Sequence, residues 1–140
     1  MYNWKNYLCL VLMGLFLTGI SYAVYAACCG QGQGCLCSGE VAQEGNSCWY
    51  NFQVSHEKDQ ALSKIEVVIV DGVHDPRIVE LEYDQTVGDC WIYHRVIQLK
   101  PNTDYDFYFL CYHGQPTPED RDPEGTTNYN VDVGDCIPFN

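Results

Sequence analysis

CWIYHRVIQLKPNTDYDFYFLCY, Cys90 to Tyr112, decides how the chain is read. Its flanks, Cys90 to Leu99 and Tyr105 to Tyr112, alternate apolar with polar residues and are rich in aromatic and β-branched side chains. That is the period of a half-buried strand. The intervening Lys100-Pro101-Asn102-Thr103-Asp104 is turn chemistry, because proline presets its own φ and Asn, Thr and Asp bond locally to the backbone. Runs of the same kind lie at Cys48 to Ser55, Lys64 to Val70, Arg77 to Tyr83 and Asn128 to Val133, with a short one near Leu36 to Ala42. Seven short strands and no sustained helical period predict an all-β, antiparallel sandwich.

Leu99-Lys100-Pro101-Asn102-Thr103-Asp104-Tyr105, followed by alternating Phe107, Phe109 and Cys111, resembles the Leu-x-Pro-x-Thr-x-Tyr corner of fibronectin type III domains. The resemblance covers about Cys48 to Val133. It implies an immunoglobulin-like, fibronectin type III-like sandwich whose chain crosses between sheets at this corner, with Leu99, Pro101 and Tyr105 as structural residues. Tyr105 is then buried, its hydroxyl bonded back to the turn. Val96 matches the family's inward apolar position. The Arg-Gly-Asp tripeptide of adhesive members is absent, so integrin binding is not carried over.

Outward from this centre, the start of the chain reads as an export signal. Lys5 precedes an uncharged apolar run from Leu8 to Ile20, and Val24 and Ala26 are the small residues a signal peptidase reads. The expected organisation is a signal peptide at 1–26, a cysteine-rich segment at 27–47 and the sandwich at 48–140. An uncleaved anchor and a lipid-modified Cys28 are the rival readings. Cleavage would remove Lys5 and Cys9, leaving 6 Lys and Arg against 19 Asp and Glu, and eight cysteines. So acidic a surface repels nucleic acid and anionic lipid. The expected location is secreted or extracytoplasmic, in a periplasm or at a cell surface, without membrane association after cleavage.

An even number of cysteines in an exported chain reads as a disulfide framework. In the implied topology, successive strands end at opposite poles, which brings Cys48 toward Cys136 and Cys90 toward Cys111. The repeated Val-Gly-Asp-Cys, at Val87 to Cys90 and Val133 to Cys136, then lies at opposite poles. Cys28, Cys29, Cys35 and Cys37 are left to satisfy one another as a local clasp, the glycines between them permitting the tight reversal. A zinc site there is the sharper alternative, although zinc prefers cysteine pairs two to four residues apart. A redox role lacks the nearby cations that lower a thiol pKa.

Two surfaces are candidates for binding. The long Gly114 to Thr127 segment carries Glu119, Asp120, Asp122 and Glu124, which suggests either a calcium loop or a solvated acidic loop stiffened by proline. Strand parity supplies the other. With Ile92, His94 and Val96 facing in, Trp91, Tyr93 and Arg95 face out, and Trp49 faces out if Tyr50, Phe52 and Val54 face in. Trp49, Trp91 and Tyr93 would then form an exposed aromatic patch for a protein or glycan, unless the N-terminal segment covers it.

His56, His74, His94 and His113 fall in different runs and turns, with no His-x-x-His or His/Asp/Ser set. His94 is expected in the core, and Asp71, His74 and Asp75 form ordinary turn chemistry. No nucleophile with a base is in view. The sequence therefore predicts an exported, disulfide-stabilised, non-catalytic binding or adhesion module with no cofactor other than calcium. The competing reading is a metal-binding or redox-active exported protein.

Overall fold

The computed structural model describes residues 36–58, 60–88, 90–123 and 125–138. Nine strands run in chain order: β1 Leu36–Gln43, β2 Trp49–Glu57, β3 Lys64–Val70, β4 Arg77–Glu80, β5 Glu82–Val87, β6 Cys90–Gln98, β7 Thr103–Tyr112, β8 Asp120–Asp122 and β9 Tyr129–Val133. They form two antiparallel sheets. The first has the order β1-β2-β6-β5; the second has β4-β3-β7, with β8 and β9 both paired to β7. Among the described residues no helix is long and apolar enough to cross a membrane. The expected signal peptide and the Cys28, Cys29 and Cys35 part of the clasp lie outside the described residues, as does the side chain of Cys37.

The count exceeds seven for two physical reasons. The Arg77 to Tyr83 run splits at Leu81, whose backbone N–H donates to Ile65 O at 2.9 Å and whose side chain is buried. Residues before it pair with β3 and residues after it pair with β6, so the run changes sheets there. The acidic segment also holds a strand. Asp120 pairs with Cys111 and Asp122 with Phe109 across β7 and β8.

The core lies between the sheets. Tyr50, Phe52 and Val54 of β2 and Ile97 of β6 face Ile65, Val67 and Ile69 of β3 and Tyr105, Phe107 and Phe109 of β7. Phe107 meets both Phe52 and Phe109 edge to face, at ring separations of 5.1 and 5.9 Å. Each fully buried phenylalanine contributes about 2 kcal/mol through its apolar area. Tyr105 is buried, and its hydroxyl accepts a hydrogen bond from Lys100 N at 3.1 Å. The corner is held further by Leu99 N donating to Cys48 O and Asn102 N donating to Gly134 O.

The Cys48–Cys136 disulfide is present and joins the start of β2 in one sheet to the chain just beyond β9 in the other. Cys90 and Cys111 are not bonded to each other. Cys90 is in a cystine, whereas Cys111 is a buried thiol. The reason is facial. Cys90 stands opposite Glu57, on the side of its sheet away from the core, and Cys111 points inward from β7.

The parity of β6 is also the reverse of the expectation. β2 and β6 pair Tyr50 with Ile97, Phe52 with Arg95 and Val54 with Tyr93, so the odd-numbered residues share the core face. Tyr93 packs against the core, while Val96 is 40% exposed. Ile92 is fully buried, but on the opposite face, and partly buried His94 hydrogen-bonds Asn51 there at 3.3 Å.

Candidate metal centre

At the pole opposite the Cys48–Cys136 disulfide, β2 ends with an inward histidine. Tyr50, Phe52, Val54 and His56 are the alternate residues of one strand face, and His56 is 0% exposed. From the other sheet, Cys111 at the end of β7 is also 0% exposed. His113 follows two residues later, and Asp120 pairs directly with Cys111 across the β7–β8 ladder. One donor atom from each of His56, Cys111, His113 and Asp120 can be chosen so that all lie within 4.8 Å of one another. The two imidazole centroids are 5.4 Å apart, and Cys111 Sγ lies 3.9 Å from His113 Nε2.

The surroundings orient both rings. His56 Nδ1 is in hydrogen-bond contact with the backbone carbonyl of Glu57. That contact places the ring proton on Nδ1, because a carbonyl only accepts, and leaves Nε2 with its lone pair available. His56 Nε2 is buried without a hydrogen-bond partner among the described residues. His113 Nδ1 lies 3.1 Å from Glu119 Oε2, while its Nε2 faces the thiol. An imidazole whose far nitrogen is held by a backbone carbonyl, as in His56, and whose near nitrogen faces other donors, is a usual support of a metal-ligating histidine, whereas Glu119 stands at ion-pair distance from His113 without a formed hydrogen bond to Nδ1.

The acidic residues thus do different work from that expected. Asp122 reaches across the open edge between the sheets: its carboxylate accepts from Gly39 N of β1 at 2.6 Å and from Tyr129 Oη at 2.8 and 3.0 Å. Burial and the Asp122 carboxylate hold the Tyr129 phenol well above its usual pKa. Arg121, between the two aspartates, faces the other way and stacks on Tyr108 at 4.0 Å. Asp120 and Asp122 are therefore partly buried strand residues and do not lie on a solvated loop. Glu119 stands beside His113, and Glu124 lies outside the described residues.

Nor do the aromatic residues converge. Trp49 stands opposite Gln98 and Trp91 opposite His56, at the two ends of the β2–β6 ladder. Seven strand positions separate them, roughly 23 Å, and they occupy opposite faces of the sheet. Tyr93 turns inward and meets Tyr83 at a ring separation of 6.0 Å. The expected Trp49, Trp91 and Tyr93 patch is not formed.

Sequence reasoning missed the metal-type cluster although part of it was readable. Cys111 at the end of β7 and His113 just beyond it stand two residues apart, and extending the Tyr50, Phe52, Val54 parity by one step puts His56 inside. Their meeting across the sheets is a tertiary fact with no local signature.

No protein-family model matches the chain, and no curated protein does. Among solved structures, the chain is similar to a family 64 laminaripentaose-producing β-1,3-glucanase from Paenibacillus barengoltzii complexed with laminarihexaose. The identity is 12% and the TM-score 0.42, over 67% of this chain and 20% of the glucanase.

Proposed function

We propose that this protein is a non-catalytic, disulfide-stabilised binding module whose ligand is a metal ion held by His56, Cys111, His113 and Asp120. The observation that carries the reading is the buried His56 Nε2, which lacks a hydrogen-bond partner among the described residues and belongs to a set of four donors within 4.8 Å. A buried acceptor left unsatisfied costs about 1–3 kcal/mol, and a bound cation would offset that cost. A thiol, two imidazoles and a carboxylate also occur together in cysteine-dependent catalysis. Here the sulfur is wholly buried, which favours ion coordination over attack on a substrate.

The Cys48–Cys136 disulfide suits an oxidising compartment, and secretion is the setting proposed for the module. Within it, burial beneath the sandwich shields the Cys111 thiol from exchange. Elemental analysis and native mass spectrometry of the full chain, purified without chelator, test the reading. One ion per chain is expected, lost in His56→Ala and in Cys111→Ser variants that keep the wild-type circular dichroism. Wild-type protein carrying no more metal than those variants, after equilibration with zinc, cobalt or copper salts, would remove the proposal.

A further inference from the structure

We infer that the ion is a four-coordinate divalent cation of the zinc class, bound through one thiolate, two imidazole nitrogens and one carboxylate oxygen as a closed site between the sheets. The inference rests on the metal-binding reading and adds the identity and geometry of the ion. Three arguments converge on it.

The donor set is the first. Calcium takes six to eight oxygen ligands and magnesium an octahedron of oxygens, whereas this cluster offers one carboxylate beside a sulfur and two nitrogens. Thiolate and imidazole together suit zinc and its neighbours in the first transition row.

Charge is the second. Cys111 binds as a thiolate, its S–H proton leaving to solvent as the sulfur–metal bond forms. With Asp120 ionised, the two ligands carry two negative charges against the two positive charges of the ion. The site is then neutral, with the least desolvation cost for a place where two of the four ligands are fully buried. A monovalent ion such as copper(I) would leave one negative charge uncompensated there.

Geometry is the third. Cys111 and Asp120 are paired in one sheet, His113 lies just beyond the end of β7, and His56 comes from the other sheet, so the donors converge from both sides of the interior. Donors that converge from two sides suit a tetrahedral site better than a square-planar one. Zinc–ligand bonds of about 2.0–2.3 Å set donors roughly 3.3–3.7 Å apart in a tetrahedron. Cys111 Sγ and His113 Nε2, at 3.9 Å, are already near that spacing. Four protein donors fill the tetrahedron, leaving no position for water or substrate, which is the pattern of a structural or storage ion.

Cobalt(II) is the probe, because its visible spectrum reports coordination number and thiolate ligation. The full chain, with its cystines formed, is titrated with cobalt(II) and then with zinc(II) or calcium(II). Expected are intense tetrahedral bands and a thiolate charge-transfer band at one equivalent, displaced by one equivalent of zinc and unmoved by excess calcium. Cys111→Ser should abolish the charge-transfer band. Glu119→Gln, which alters the carboxylate 3.1 Å from the far nitrogen of His113, should weaken zinc binding at least ~10-fold while leaving the band shape unchanged. Retained cobalt with weak octahedral bands, or with no thiolate band, would overturn the zinc-class inference and leave metal binding standing. Absence of any retained cobalt would overturn both.

Discussion

The two poles of the sandwich are joined in different ways. At one, the start of β2 is tied to the chain beyond β9 by the Cys48–Cys136 disulfide, with Cα atoms 5.1 Å apart. At the other, the end of β2 meets the end of β7 through His56, Cys111, His113 and Asp120, without a covalent link among them. Both poles face the same problem, which is to hold two sheets in register where the apolar core runs out. A disulfide solves it without a bound ligand wherever the solution is oxidising enough to keep it formed. On the proposed reading, the His56, Cys111, His113 and Asp120 cluster solves it when an ion links its donors, which makes that pole conditional. The proposed binding role lies there.

The largest effect that would sharpen this contrast is loss of the covalent pole. Replacing both Cys48 and Cys136 with serine reopens a separation of 88 residues, and should cost about 4–5 kcal/mol in the chain-entropy account. Urea midpoints should show that loss equally with and without added zinc. A loss that zinc reverses would mean that the poles are not independent.

Next is Gly39→Ala, on β1. A Cβ there would stand 2.1 Å from a carbon of the Phe109 ring, which is held in the core and has no room to withdraw. Destabilisation of about 1–3 kcal/mol is expected from the overpacking. Because Asp122 holds Gly39 N from the strand that also carries Asp120, metal retention should fall as well. Unchanged retention would separate the β1 contact from the conditional pole.

Tyr105→Phe is expected to cost about 1–2 kcal/mol by leaving Lys100 N without its acceptor. The corner belongs to the covalent pole, so chelation should not alter the cost. An unchanged urea midpoint would show that the hydroxyl has no structural part.

The smallest effect concerns Asp104 and Asp132, which face each other across β7 and β9. A hydrogen bond with Asp132, and then its charge, raise the Asp104 pKa above 3.8. An acid raised in the native state binds more protons folded than unfolded, so its contribution to stability falls as pH rises from 3.8 through the raised value. Asp104→Asn should therefore raise the urea midpoint slightly at neutral pH, with the gain vanishing in more acidic solution. A variant equally stabilised at all pH values would show that charge repulsion is not the cause.

Much of the covalent pole was legible in the sequence because its signals are local. Leu99 to Tyr105 is a contiguous turn, and Cys48 and Cys136 each adjoin a strand end whose pole follows from counting strands. The β6 parity was misjudged by anchoring on Val96. Counting back by twos from Leu99, whose side chain is in the core, gives Ile97, Arg95 and Tyr93 as the inward set. The split at Leu81 was hidden because a strand that changes sheets keeps its extended backbone and leaves no break in pattern. At the conditional pole only Cys111 and His113 are local to each other. His56 arrives from 55 residues earlier and Asp120 through a strand of three residues, too short for any periodicity.

The most direct test of the central claim is anomalous diffraction from crystals grown with one equivalent of zinc, collected on both sides of the zinc absorption edge. A single strong peak bounded by His56 Nε2, Cys111 Sγ, His113 Nε2 and an Asp120 oxygen is the predicted result. No peak at that position, or a peak only among the N-terminal cysteines, would contradict the account.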